Sequence, residues 1–168
     1  MPGWFVFWLT LHILLVILAF GPSFAYGIIT GLARKEPMHM PFVVRYIETV
    51  TERMTLPLAT VIPFTGVALI FAAPGEINLW KSEWLIIAIV LYTVAFFYSL
   101  LVQLPTERRL IKAIGAMPPG PPPPGAQPPP EIAGLAKKLQ TGGILLSLLV
   151  VTILVLMVWQ PGNCQGIC

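Results

Sequence analysis

Four stretches of this chain are apolar over a length that can cross a lipid bilayer. They lie at about residues 4–32, 55–73, 84–104 and 141–159, and a spanning helix needs roughly 17–25 such residues. Only 10% of the 168 residues are charged, whereas a soluble domain carries about 25%. A segment inside a bilayer must satisfy its own backbone hydrogen bonds, so these runs predict helices. The sequence therefore predicts an all-α integral membrane four-helix bundle, a single transmembrane domain over residues 1–168.

The basic residues predict the orientation of these spans. All but Lys81 fall in two stretches between spans, and loops rich in Lys and Arg tend to stay cytoplasmic. The two clusters are Arg34, Lys35, Arg45 and Arg53, then Arg108, Arg109, Lys112, Lys137 and Lys138. The first span carries its positive charges after the apolar run, so we interpret it as a retained helix and not as a signal peptide. Acidic lipid headgroups account for the net charge of +3 better than nucleic acid does.

The tryptophans point to the same orientation. Tryptophan prefers the headgroup level of the bilayer, and all five lie at span ends on the side opposite the basic clusters: Trp4, Trp8, Trp80, Trp84 and Trp159. We therefore predict a multi-pass protein of the bacterial plasma (inner) membrane with both termini and the loop at 74–83 on the outer, periplasmic side.

The chain between the spans contains amphipathic and proline-rich segments. Residues 43–54 and 131–140 place their apolar side chains at helical spacing, which predicts cytoplasmic helix extensions beyond the bilayer or along its surface. Residues 117–130 form a proline-rich cytoplasmic loop, with nine of the eighteen prolines in 118–130. Such a run favours polyproline II. It is either a stiff spacer or a docking ligand for a proline-binding groove.

The first span has a regular stripe of small residues. They recur every fourth position, at Ala19, Ser23, Gly27 and Gly31. Small residues at this spacing let another helix approach closely. The pattern predicts a helix-packing face, whose partner is either another helix of this chain or another subunit.

His12 is the strongly ionisable side chain inside the predicted spans, and such residues are candidates for function. One interpretation is an axial ligand of haem b, or a hydrogen-bond donor to a quinone or chlorin, with Tyr92 or Met157 as further cofactor-binding candidates. The other is a neutral histidine bonded to Tyr92 or to a backbone carbonyl. His39 lies about 30 Å away by helix rise, so the two histidines cannot ligate one iron. The cofactor is otherwise unknown.

Other chemistry has little support in the sequence. Cys164 and Cys168 lie in the outer tail at 161–168, where an oxidising compartment allows a disulfide between them. None of the four predicted spans, 84–104 included, has a carboxylate, a lysine or an arginine in its interior, where proton-driven transporters usually have one. No nucleophile constellation or phosphate-binding loop is present. We predict no catalytic residues and no metal site, and the chain is more readily interpreted as a non-enzyme.

The chain resembles a family of small four-helix bacterial integral membrane proteins of unknown function. The similar segments are LHILLVILAFGPSFAYGIITGLARK, RYIETVTER, PFTGVALIF and VLMVWQP, which together cover most of residues 8–161. The first helix is more faintly similar to copper-resistance membrane proteins and to the haem-containing membrane protoporphyrinogen oxidase. That likeness implies haem binding at His12, but the intramembrane lysine of the oxidase has no counterpart here.

Two functional hypotheses follow. The first is a non-catalytic accessory or structural subunit of a larger membrane complex, of the respiratory or photosynthetic electron-transfer kind. The second is a haem- or quinone-binding membrane redox protein that uses His12. The expected partners are the lipid bilayer and other membrane subunits, and no nucleic acid.

Overall fold

The computed structural model describes residues 3–73, 82–117 and 128–161, and these residues fold into four long helices. They are α1 (Gly3–Lys35), α2 (Met40–Ala72), α3 (Glu83–Gly115) and α4 (Pro130–Trp159). At 1.5 Å per residue each is roughly 45–50 Å long, which exceeds the hydrocarbon core of about 30 Å. The prediction of an all-α four-helix membrane bundle is confirmed, and no strand occurs in the described ranges.

The helices form two antiparallel hairpins. α1 is joined to α2 by the short 3-10 turn Pro37–His39 and packs against the second half of α2, Leu56–Ala72. α3 packs along α4 in the same way. Both basic clusters therefore lie at one end of the bundle, which we call the basic face, and the described tryptophans lie at the other end, which we call the tryptophan face.

The amphipathic segments continue the spanning helices, as the sequence predicted. The first half of α2, Met40–Val50, packs against the last part of α3, Leu104–Gly115. Residues 131–140 form the first turns of α4. The helix extensions thus cross each other at the basic face, while the apolar halves of α2 and α3 make their main contacts with α1 and α4.

A π-turn interrupts both α2 and α3 near the basic face. The turns are Thr51–Thr55 and Ser99–Gln103, and each is followed by a leucine and a proline, Pro57 or Pro105. The leucine N–H bonds to the carbonyl five residues earlier, Thr51 in α2 and Ser99 in α3. Proline has no N–H and crowds the preceding turn of an α-helix. The wider π-turn is therefore a place where the helix continues despite the proline.

The core is thin, and alanine is its most frequent residue. Five of the eleven buried apolar residues in the described ranges are alanines, and Ala19 is fully buried. Large apolar side chains such as Phe71 and Val158 point outward. Lipid tails are as apolar as these side chains, so close backbone approach and not burial from water holds membrane helices together.

Several predictions fall outside the described residues. They concern the proline-rich residues 118–127, the disulfide between Cys164 and Cys168, and Trp80. These stay predictions.

Candidate functional sites

His12 lies on the side of α1 that faces α2, where it bonds to Thr65. Its Nδ1 is 2.8 Å from the Thr65 Oγ1, and that hydroxyl also donates to the Ile62 carbonyl at 2.8 Å. A threonine hydroxyl has one proton. In the tautomer in which Thr65 keeps its bond to Ile62, His12 donates from Nδ1 and its Nε2 carries the lone pair.

Gly66 makes room for this histidine. A Cβ added at Gly66 would lie 3.6 Å from the His12 Cε1, so the ring rests against the α2 backbone in ordinary van der Waals contact. The sequence suggested Tyr92 or a carbonyl as the partner of His12. The structure places the ring beside the Thr65 hydroxyl and the Ile62 carbonyl, and not beside Tyr92. The adjacent Thr-Gly pair in PFTG is the signal that could have located Thr65.

Tyr92 and Met157 have other partners. The Tyr92 hydroxyl donates a hydrogen bond to the Ala59 carbonyl, and its ring stacks on Phe96 with centroids 6.4 Å apart. Met157 is half-buried near the end of α4, and its carbonyl accepts a bond from Gln160. Within the described ranges no hydrogen bond joins His12 to either residue.

The small-residue stripe of α1 divides into a packed part and an open part. Ala19 is fully buried, and its carbonyl accepts a hydrogen bond from the Thr55 hydroxyl of α2 at 3.0 Å. Ser23 is half-buried. Gly27 and Gly31 are exposed, and a Cβ added at either would meet nothing within 4 Å.

A buried carboxylate near the basic face was missed by the sequence reasoning. Glu107 follows the apolar span 84–104 by less than one turn and is only 5% exposed. The nearest charged groups are Glu48 and Glu52 of α2 and its own neighbour Arg108. No residue in the described part of the chain donates a hydrogen bond to it. In the sequence it is followed by two arginines, a pattern that is typical of an exposed charged face and gives no sign of burial.

Arg108 and Glu52 tie α2 to α3 beside this carboxylate. The guanidinium donates from Nε and one terminal nitrogen to the Glu52 Oε1, at 3.0 and 2.8 Å. Both side chains are partly exposed. The pair therefore satisfies Glu52 and leaves Glu107 without a cation of its own.

Tyr26 of α1 adds a hydroxyl to the polar region formed by Glu107, Glu52 and Arg108. Its hydroxyl oxygen is buried, and among the described residues it makes no hydrogen bond of normal geometry. The closest hydroxyls belong to Thr51 and Thr55, the first and last residues of the α2 π-turn. The region is thus built where a π-turn breaks the regular helix, as is common at functional sites.

Gln103, in the π-turn of α3, bonds to the backbone of the neighbouring helix α4. Its Nε2 donates to the Leu139 carbonyl at 3.1 Å. Gly142 lies directly under this amide, since an added Cβ would stand 2.3 Å from the Gln103 Oε1 and 2.9 Å from the Tyr98 hydroxyl. A side chain at residue 142 would therefore force the ends of Gln103 and Tyr98 to move.

His39 lies in the turn between α1 and α2 at the basic face. Its Nε2 is 3.4 Å from a carboxylate oxygen of Glu36, and both side chains are exposed. The described ranges contain no group of three or more His, Cys, Asp or Glu side chains arranged to hold a metal ion.

Comparison with known proteins identifies the family. The model of the DUF2269 family, described as predicted integral membrane proteins, matches residues 7–161. The chain belongs to this family. The matched segment takes in all four helices, the His12–Thr65 pair and both π-turns. No match was found among curated proteins or among solved structures. Membership agrees with the resemblance noted in the sequence and with a four-helix protein of the lipid bilayer.

Proposed function

We propose that this chain is a non-catalytic accessory subunit of a larger membrane complex, of the respiratory or photosynthetic electron-transfer class. The observation that carries the proposal is the open part of the α1 stripe. Gly27 and Gly31 follow Ala19 at the same four-residue spacing, yet a Cβ added at either would meet no atom of the described residues within 4 Å.

Glycine at these positions lowers the stability of the helix, and no packing contact at these positions within the described residues compensates for that loss. Each glycine inside a helix is about 1 kcal/mol less favourable than alanine, and a packing partner normally compensates for it by close approach. The flanking Ile28 and Leu32 are 69% and 61% exposed. A helix from another subunit could lie over the glycines, between these two larger side chains.

The polar side chains of the spans also support a non-catalytic role. Four threonines are engaged by the carbonyl of their own helix four residues earlier: Thr10, Thr60, Thr93 and Thr152. These bonds satisfy the hydroxyls in an apolar medium. They serve the helix itself and do not position a catalytic group.

Replacing the glycines of the stripe with leucine tests the proposal. In membranes of the source organism, solubilised gently, the wild-type chain is expected to migrate on a native gel with a mass well above that of its monomer. Gly27→Leu and Gly31→Leu are expected to release it as the free chain. Gly21→Leu is the matched control, because Gly21 also has open space beside it but is off the stripe. A wild-type chain that runs only as a monomer would contradict the proposal.

A second candidate is a haem- or quinone-binding redox protein, and the His12–Thr65 bond favours it. Histidines that bind metals usually donate their other ring N–H to an oxygen, which fixes the ring and the tautomer. When the Thr65 hydroxyl accepts such a bond from Nδ1, Nε2 is left free to act as a ligand or acceptor. A reduced-minus-oxidised spectrum of the purified protein tests this. A haem band that His12→Ala abolishes supports it, and a featureless wild-type spectrum rules out haem.

A further inference from the structure

We propose that the groove between the basic ends of α2 and α3 binds the headgroup of an anionic phospholipid. The groove encloses a cavity of about 100 Å³. It lies where the first half of α2 crosses the end of α3, and it is lined by Pro41, Val44, Arg45, Ile111, Ile114 and Gly115. Its walls are thus apolar, with one guanidinium.

That guanidinium is available to an anion. The ion pairs of the described ranges join Arg108 to Glu52 and His39 to Glu36, so Arg45 is not neutralised by a carboxylate. Its side chain is exposed at the groove. Arg109 and Lys112 lie on the same segment of α3 and add to the positive potential. Arginine matches the geometry of a phosphate oxygen pair especially well.

The depth of the groove fits a headgroup. Along the α2 axis Arg45 lies about 40 Å from Ala72 at the tryptophan face. A bilayer is about 30 Å thick in its hydrocarbon core and about 40–45 Å with its headgroups. The exposed ring of Tyr46 lies at the same level, where amphipathic aromatic side chains prefer to be.

The lining selects an anionic over a zwitterionic lipid. A phosphate beside Arg45 places the glycerol and the first methylenes against Val44, Ile111 and Ile114. The headgroup of phosphatidylcholine would bring a second cation toward Arg45 and its basic neighbours, which costs electrostatic energy. Phosphatidylglycerol carries no such cation.

Native mass spectrometry of the purified full-length chain, with added phosphatidylglycerol or phosphatidylcholine, tests the site. The wild type is expected to retain one phosphatidylglycerol in preference to phosphatidylcholine. Arg45→Gln should weaken that binding about tenfold, the size expected for a lost charge-assisted hydrogen bond. Arg53→Gln should change it less than about twofold, because Arg53 is exposed on the same helix but does not line the groove.

A second variant tests the shape of the groove independently of charge. A side chain at Gly115 would meet no existing atom at its Cβ, so Gly115→Leu should obstruct the cavity and lower phosphatidylglycerol binding while the helices stay folded. Equal retention of both lipids, or an equal loss in Arg45→Gln and Arg53→Gln, would overturn the proposal. Displacement of the lipid by millimolar inorganic phosphate would instead identify a site for a free ion and would also overturn it.

Discussion

The hydroxyl of Tyr92 in α3 donates a hydrogen bond to the carbonyl of Ala59 in α2. In a regular helix that carbonyl would accept from the residue four positions later, which here is Pro63 and has no N–H. The tyrosine therefore supplies the missing donor from a neighbouring helix. One bond satisfies a backbone group in the apolar interior and connects the two hairpins.

Tyr92→Phe is expected to reduce stability by about 0.6–1.5 kcal/mol. Pro63→Ala restores the N–H that bonds to Ala59, so the same tyrosine change should cost much less in that background. A double-mutant cycle of unfolding in mixed detergent micelles measures the difference. Equal costs in both backgrounds would show that Tyr92 does not act through this carbonyl.

Gly142 and Gly143 are adjacent and are expected to respond differently to a side chain. Gly142→Leu must displace the ends of Gln103 and Tyr98. We expect it to break the bond from Gln103 to the Leu139 carbonyl, at a cost of about 1–3 kcal/mol. At Gly143 an added Cβ meets only the Gln103 Nε2, at 3.9 Å, so Gly143→Leu should be tolerated. Thermal denaturation of the two variants in one detergent checks this, and similar melting temperatures would contradict it.

Glu107→Gln is expected to stabilise the bundle. Burial without a donor, close to Glu48 and Glu52, makes an ionised carboxylate at Glu107 unfavourable. Its ionisation therefore lowers stability as the pH rises, and glutamine keeps the shape without the charge. The gain should be about 1–3 kcal/mol in mildly alkaline buffer and smaller in mildly acidic buffer. Glu131→Gln, at an exposed position, serves as the control and should show no such difference.

The predicted orientation can be tested by labelling single cysteines in intact cells, with both native cysteines replaced by serine. Glu83→Cys, next to Trp84 on the tryptophan face, should react with an impermeant maleimide. Lys112→Cys on the basic face should react only after the membrane is permeabilised. The reverse pattern would place the basic face outside.

The sequence determines the fold of this chain to a large extent. Span length, the two basic clusters and the period of residues 43–54 predicted four helices and their extensions. These features depend on composition and local spacing, which can be read along one chain.

The candidate sites were predicted less completely, because they depend on pairs from different helices. His12 was identified from its place in an apolar run, but its partner Thr65 depends on how α1 and α2 are aligned. Glu107 has the sequence surroundings of an exposed residue, and only the crossing of α2 and α3 buries it. Ala19 and Gly27 look equivalent in the stripe, although one packs and the other does not.

The two π-turns determine which faces of α2 and α3 meet at the basic face. Each turn holds one residue more than the α-helical turn it replaces, so the segment beyond it is rotated by about 100° relative to an uninterrupted helix. Deleting a single residue from Thr51–Thr55 would remove the extra residue of the π-turn and would turn Arg45 and Glu48 away from α3. A one-residue insertion or deletion at this level of either helix therefore turns one of the two faces that meet at the basic face out of the contact between Met40–Val50 and Leu104–Gly115.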